Sequence, residues 1–81
     1  MSATEPATDV LSIWTVYANP NDFPGLHVAR RFDIKADGVQ ITDQVLVTPA
    51  LEDLRDELRG RGLTPLPRQQ ADDPKIVESW I

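Results

Sequence analysis

Apolar and polar residues alternate along much of this chain, and the places where the period changes mark its elements. Leu11 to Tyr17 is dense in β-branched and aromatic residues and runs into Asn19-Pro20, so it reads as a strand. Ile13 and Tyr17 point to one side of that strand, and Trp14 and Val16 to the other. This is the pattern of a central strand covered on both faces. Asn19 to Gly25 then gathers two prolines, two asparagines, an aspartate and a glycine around a single apolar residue, Phe23. Each of these residues favours turns, and the stretch reads either as a loop pinned to the core by Phe23 or as an ordered binding loop.

Leu26 to Thr48 holds two alternating segments around Asp37-Gly38, which reads as a two-residue hairpin turn. Placing Ala36 opposite Val39 makes paired positions sum to 75, so that Ile34 faces Ile41, Phe32 faces Asp43, Arg30 faces Val45 and Val28 faces Val47. One face then carries Leu26, Val28, Phe32, Ile34, Val39, Ile41, Val45 and Val47. The opposite face carries His27, Ala29, Arg31, Asp33, Lys35, Gln40, Thr42, Gln44, Leu46 and Thr48. A slip of one residue would mix the two sets. Arg30 and Asp43 interrupt the apolar face as diagonal neighbours. The expectation is that they pair, or that a bulge near Thr42-Asp43-Gln44 turns both to water; the functional alternative makes Arg30 an anion-binding group.

From Thr48 the period becomes helical. Thr48 reads as an N-cap, Pro49 as the first helical residue, and Leu51, Leu54 and Leu58 as the apolar stripe. Glu52 and Asp53 near the start, with Arg55, Arg59 and Arg61 toward the end, suit the helix dipole, and Gly60 or Gly62 supplies the stop. Leu63 to Arg68 is held extended by its prolines and reads as a covering strap. A polar loop from Gln69 to Pro74 precedes Lys75 to Ile81, a terminal strand whose Trp80-Ile81 ending implies docking of that end into the sheet.

These elements add up to one small two-layer α+β domain over residues 11–81 after a flexible tail of residues 1–10. The expected chain order is β-β-β-α-β, with a four-stranded, mostly antiparallel sheet and one helix packed on its apolar face. The expected spatial order is 3-2-1-4, the last strand lying parallel to the first through a right-handed crossover.

Composition narrows the function classes. The formal charge of -5 disfavours duplex DNA as a partner, since Lys and Arg supply most phosphate affinity. The acidic excess is dispersed, which also argues against a phosphate mimic. There are no cysteines, the N-terminal stretch lacks a leader pattern, and no run approaches ~20 apolar residues, so a cytoplasmic protein with no membrane contact is expected. His27 is the only histidine, there is no Gly-x-Ser-x-Gly turn, and the four glycines stand singly. No catalytic residue, metal or cofactor is therefore expected. Asp72-Asp73 with Glu78 matches no calcium loop.

Ile13-Trp14-Thr15-Val16-Tyr17, Asn19-Pro20 with Asp22-Phe23-Pro24, Val28-Ala29-Arg30-Arg31, Leu51-Glu52-Asp53-Leu54, Leu66-Pro67-Arg68 and the ending from Asp72-Asp73-Pro74 to Trp80 resemble a family of short bacterial proteins, phage-derived ones among them. The resemblance spans about residues 13–81 and implies a chain layout without implying an activity. The functional expectation is a small non-enzymatic binding module that meets a protein or other macromolecular partner through the polar sheet face and the Asn19 to Gly25 loop. The alternative is a site for a small anion or nucleotide-type ligand built from Arg30, Arg31 and Arg68. Asn19, Asp22, Arg30, Arg31 and Arg68 are the candidate binding residues.

Overall fold

Five strands and one helix make up the chain in the order β1 (Leu11–Ala18), β2 (His27–Lys35), β3 (Gly38–Thr48), α1 (Leu51–Gly60), β4 (Pro65–Pro67) and β5 (Ile76–Trp80). This is a computed structural model that describes residues 10–68 and 73–81; the expected tail up to Asp9 and the loop residues Gln69 to Asp72 lie outside the described residues. All five strands join one sheet in the order β3-β2-β1-β5-β4. Every neighbouring pair is antiparallel. The sheet has five strands rather than the expected four, because Pro65–Pro67 pairs with β5 instead of lying across the sheet as a strap. For the same reason the terminal strand runs antiparallel to β1. The chain passes the far edge as β4 and returns as β5, which reverses its direction once more than a single crossover would.

Proline placement on β4 follows from the ladder. The amide of Thr64 donates to the Ile81 carbonyl at 2.7 Å and the Ile81 amide donates back to Thr64 at 2.9 Å. Thr64 therefore faces its neighbour and Pro65 faces outward, as does Pro67 two residues on. Proline has no N–H to offer, so it is tolerated on this edge and also blunts it.

The β2–β3 register is 75 only near the base, where Arg30 faces Val45 and Val28 faces Val47. Toward the tip it becomes 73: Phe32 faces Ile41, Ile34 faces Val39, and Lys35 faces Gly38. The turn residues are thus Ala36 and Asp37, with Gly38 at φ 134 in the fourth position. Arg31 alone stands opposite Thr42, Asp43 and Gln44 in a bulge. The Thr42 hydroxyl ties it by donating to the Arg31 carbonyl at 2.9 Å and accepting from the Gln44 amide at 3.2 Å. A shift of two residues preserves the alternation of faces, so apolar sorting cannot distinguish 73 from 75.

The helix packs on the face opposite to the one expected. Leu54 and Leu58 meet Trp14, Val16, Ala29 and Trp80, with Leu46, Leu51, Leu63 and Val77 around them. Apart from Ala29 and Leu46, the hairpin offers polar residues on this side. The choice follows from size: an indole buries about 150–250 Å², worth roughly 4–6 kcal/mol at ~25 cal/mol per Å², against 1.5–3 kcal/mol (roughly) for a valine or isoleucine. Trp14 and Trp80 sit side by side on neighbouring strands, and the small Ala29 gives the helix room to approach. Arg61 stacks 5.2 Å from the Trp14 ring centroid and Arg59 5.7 Å from that of Trp80, so two helix-end arginines cover the indoles.

Both helix ends are local solutions. Ala50 occupies the N-cap position without a side-chain bond, and Thr48 instead donates its hydroxyl to the Ala50 carbonyl at 2.7 Å. At the other end Gly62 takes φ 82, its amide reaching the Arg59 carbonyl and the Leu63 amide reaching that of Leu58. This is a Schellman ending, and it lays Leu63 onto the core.

Candidate functional site

With the helix on the Trp14 side, the other face of the sheet is left open except at its base, where Val28 is fully buried. Its side chains form rows across β1, β2 and β3: Leu11–Ile34–Val39, Ile13–Phe32–Ile41, Thr15–Arg30–Val45 and Tyr17–Val28–Val47. Ser79 and Leu66 extend the third row onto β5 and β4. The exposed large apolar residues concentrate here. Ile41 is 75% and Val39 64% exposed, and Leu11, Ile34, Val47 and Leu66 are exposed as well. An apolar surface that is contiguous rather than scattered marks an interaction site.

The Asn19 to Gly25 loop closes one end of this face. Asn19 takes φ 55, a left-handed conformation that asparagine tolerates, and its Oδ1 accepts from the Gly25 amide at 2.7 Å. Backbone bonds from Phe23 to Pro20 and from Leu26 to Phe23 tighten the turn. Lys75 Nζ donates to Asn21 Oδ1 at 2.8 Å and ties the loop to the start of β5. Asp22 pairs with Arg30, whose guanidinium lies 5.9 Å from the Phe23 ring centroid. Arg30 is therefore held by the loop, not by Asp43, which is exposed in the bulge. The Asp22–Arg30–Phe23 contact anchors the loop at the Thr15–Arg30–Val45 row and leaves no uncompensated charge within it.

The structure brings Asn19, Asp22 and Arg30 together and separates the other two candidates from them. Arg31 projects to the helix side, where Nε donates to Asp33 Oδ1 at 2.9 Å and Ser12 Oγ donates to the same oxygen at 2.9 Å. Burial works against the ionised Asp33, but these bonds from Ser12 and Arg31 outweigh it and hold its carboxyl below the usual range. Arg68 follows β4, at the opposite edge of the sheet from the hairpin. The three arginines thus do not converge on one ligand. His27 is half-buried on the helix side, with Nδ1 3.3 Å from the Pro49 carbonyl.

One buried acid remains, Glu78. Arg55 grips it with two bonds, 3.1 Å from Nε to Oε2 and 2.9 Å from Nη2 to Oε1, and Trp80 Nε1 donates to Oε2 at 2.8 Å. Burial pushes its pKa up, yet these donors prevail and the carboxyl stays below the ordinary glutamate value. Hydrogen bonding to Glu78 in turn raises Arg55. The pair staples α1 to β5 and is a structural contact. Among the described residues no group of three or more His, Asp and Glu side chains is placed to hold a metal ion. No helix among them is long and apolar enough to cross a membrane.

The residues that sequence reasoning missed are the open-face apolars, Leu11, Ile34, Val39, Ile41 and Val47. A signal for them existed. One helix with three leucines cannot cover both the Trp14–Val16–Trp80 group and eight hairpin apolars, so one set had to stay outside. Comparison with family models, with curated proteins and with solved structures finds no match for this chain.

Proposed function

We propose that this protein is a small non-enzymatic interaction module of the cytoplasm whose working surface is the open sheet face with the Asn19 to Gly25 loop at its end. The observation that carries this reading is the concentration of exposed apolar side chains on one face of a sheet whose other face packs against the helix. The polar side of the hairpin, the earlier expectation for the binding surface, holds the helix instead. The ion pairs seen among the described residues are satisfied within the chain, which suits a scaffold for contact better than a reacting centre.

The test is capture from an extract of the host cell that also contains an untagged copy of the chain. Tagged wild type should retain its bound macromolecules, whether another protein or the second copy, and so should Glu57→Lys on the outer side of α1. The double variant Ile34→Asp/Ile41→Asp should lose them. Equal recovery by all three proteins would refute the reading.

A further inference from the structure

We infer that the occupant of the open face is a second copy of this chain, stacked sheet against sheet through the surface centred on Ile13, Phe32 and Ile41. The inference rests on the reading that this face is the working surface, and it names the partner. Among the described residues no further element packs on this face. The helix is committed to the other side, and residues 1–9 and 69–72 contain Met1 as their single large apolar side chain.

Charge points the same way. The face carries Arg30 already compensated by Asp22, while Glu52, Asp53, Asp56 and Glu57 lie on the helix and Asp33 and Glu78 on the helix side of the sheet. Asp43, exposed in the β3 bulge between Ile41 and Val45, adds one acid to this side, so two copies stacked here keep most, not all, of the acidic excess apart. A nucleic acid or an anionic membrane would find no uncompensated cation in the rows to hold it.

The five strands, of 8, 9, 11, 3 and 5 residues, give at ~3.3 Å by ~4.8 Å per residue a footprint on the order of 570 Å², that of a small interface below the ~800 Å² per partner of a standard one. The same patch serves both copies in a two-fold contact, and packed sheets of this kind enclose a core about 10 Å thick. Edge pairing is the weaker route to association. Pro65 and Pro67 blunt β4, and the bulge at Thr42–Gln44 with Asp43 breaks the run of β3.

Sedimentation equilibrium on the purified full chain tests this. The expected mass is twice 9.0 kDa. Ile41→Glu should raise the dimer dissociation constant about a hundredfold or more, because an isologous contact receives each substitution twice. Ile41 is too exposed for this change to unfold the monomer, and circular dichroism checks that. Isotope-filtered NOEs between copies should connect methyl groups of Ile34, Ile41 and Val47. A wild-type chain that stays at 9.0 kDa up to about 1 mM, where a binding energy of roughly −4 kcal/mol already shows, overturns the dimer. A monomer whose capture of another protein still depends on Ile34 and Ile41 leaves the interaction face standing and removes only the second copy. A dimer indifferent to Ile41→Glu overturns the sheet-to-sheet contact, and equal capture by the Ile34→Asp/Ile41→Asp variant would overturn the interaction face as well.

Discussion

The two faces of the sheet use their apolar residues for different ends. On the helix side a few large side chains do the work. Trp14, Val16, Leu54, Leu58 and Trp80 are buried, Trp80 to 1% exposure, while Ser12, Arg31 and Asp33 on the same face form a hydrogen-bonded cluster. On the open side many medium-sized, β-branched residues form rows, and several of them keep a third or more of their surface in water. The first face holds the fold together, and the second is a surface kept available. Substitutions should therefore be costly to folding on the helix side and nearly silent at the exposed positions of the other; the fully buried Val28 is the exception on that side.

The largest effect belongs to Trp80. Its replacement by alanine, or deletion of Trp80 and Ile81, should cost about 3–5 kcal/mol by denaturant unfolding, a large part of the 5–15 kcal/mol (roughly) that a domain holds. Leu58→Ala follows at about 2–5 kcal/mol. Ile41→Thr, measured at a concentration low enough to keep the chain monomeric, should stay within about 0.5 kcal/mol. Equal costs for Leu58→Ala and Ile41→Thr would erase the distinction between the faces.

Next comes the staple between helix and sheet. Glu78→Gln should cost about 1.5–3 kcal/mol, the range for hydrogen bonds to charged groups. Glu78 is held below its ordinary value of 4.5 in the fold, so its contribution is fully present above that value and is lost as pH falls through the lowered one. Wild type should therefore lose stability below about pH 4.5 more steeply than the glutamine variant. Parallel acid profiles would show that the pair is not coupled to folding.

The smallest effect is on the loop. A double-mutant cycle between Arg30 and Asp22 should give a coupling of about 0.2–1 kcal/mol, as exposed pairs do, and one between Arg30 and Asp43 should give about zero. The reverse ranking would return Arg30 to the sheet rim and detach the loop from the face.

Much of this was readable in the residues. Alternation through Leu26 to Thr48 sorted the hairpin faces correctly, the Leu51–Leu54–Leu58 spacing located the helix, and the neighbour order of the first three strands followed from chain order. The tip register was not readable, since a bulge of two residues leaves alternation unchanged. Nor was the side on which the helix docks, because the hairpin alone made the Ala29–Leu46 face look polar. The decisive apolar mass on that face comes from β1 and from β5 at the chain's other end, and it assembles only when those strands become neighbours. Arg30's partner was hidden for a similar reason: Asp22 reaches it across the folded loop, not along the hairpin.

The helix covers the Trp14–Trp80 side and leaves the Ile34–Ile41 side open. Methyl-to-aromatic NOEs on selectively labelled protein test this most directly. Leu54 and Leu58 methyl groups should show strong cross-peaks to the Trp14 and Trp80 indoles and none to Phe32. Cross-peaks from those leucines to Phe32 or Ile34, with none to the indoles, would place the helix on the other face and contradict the account.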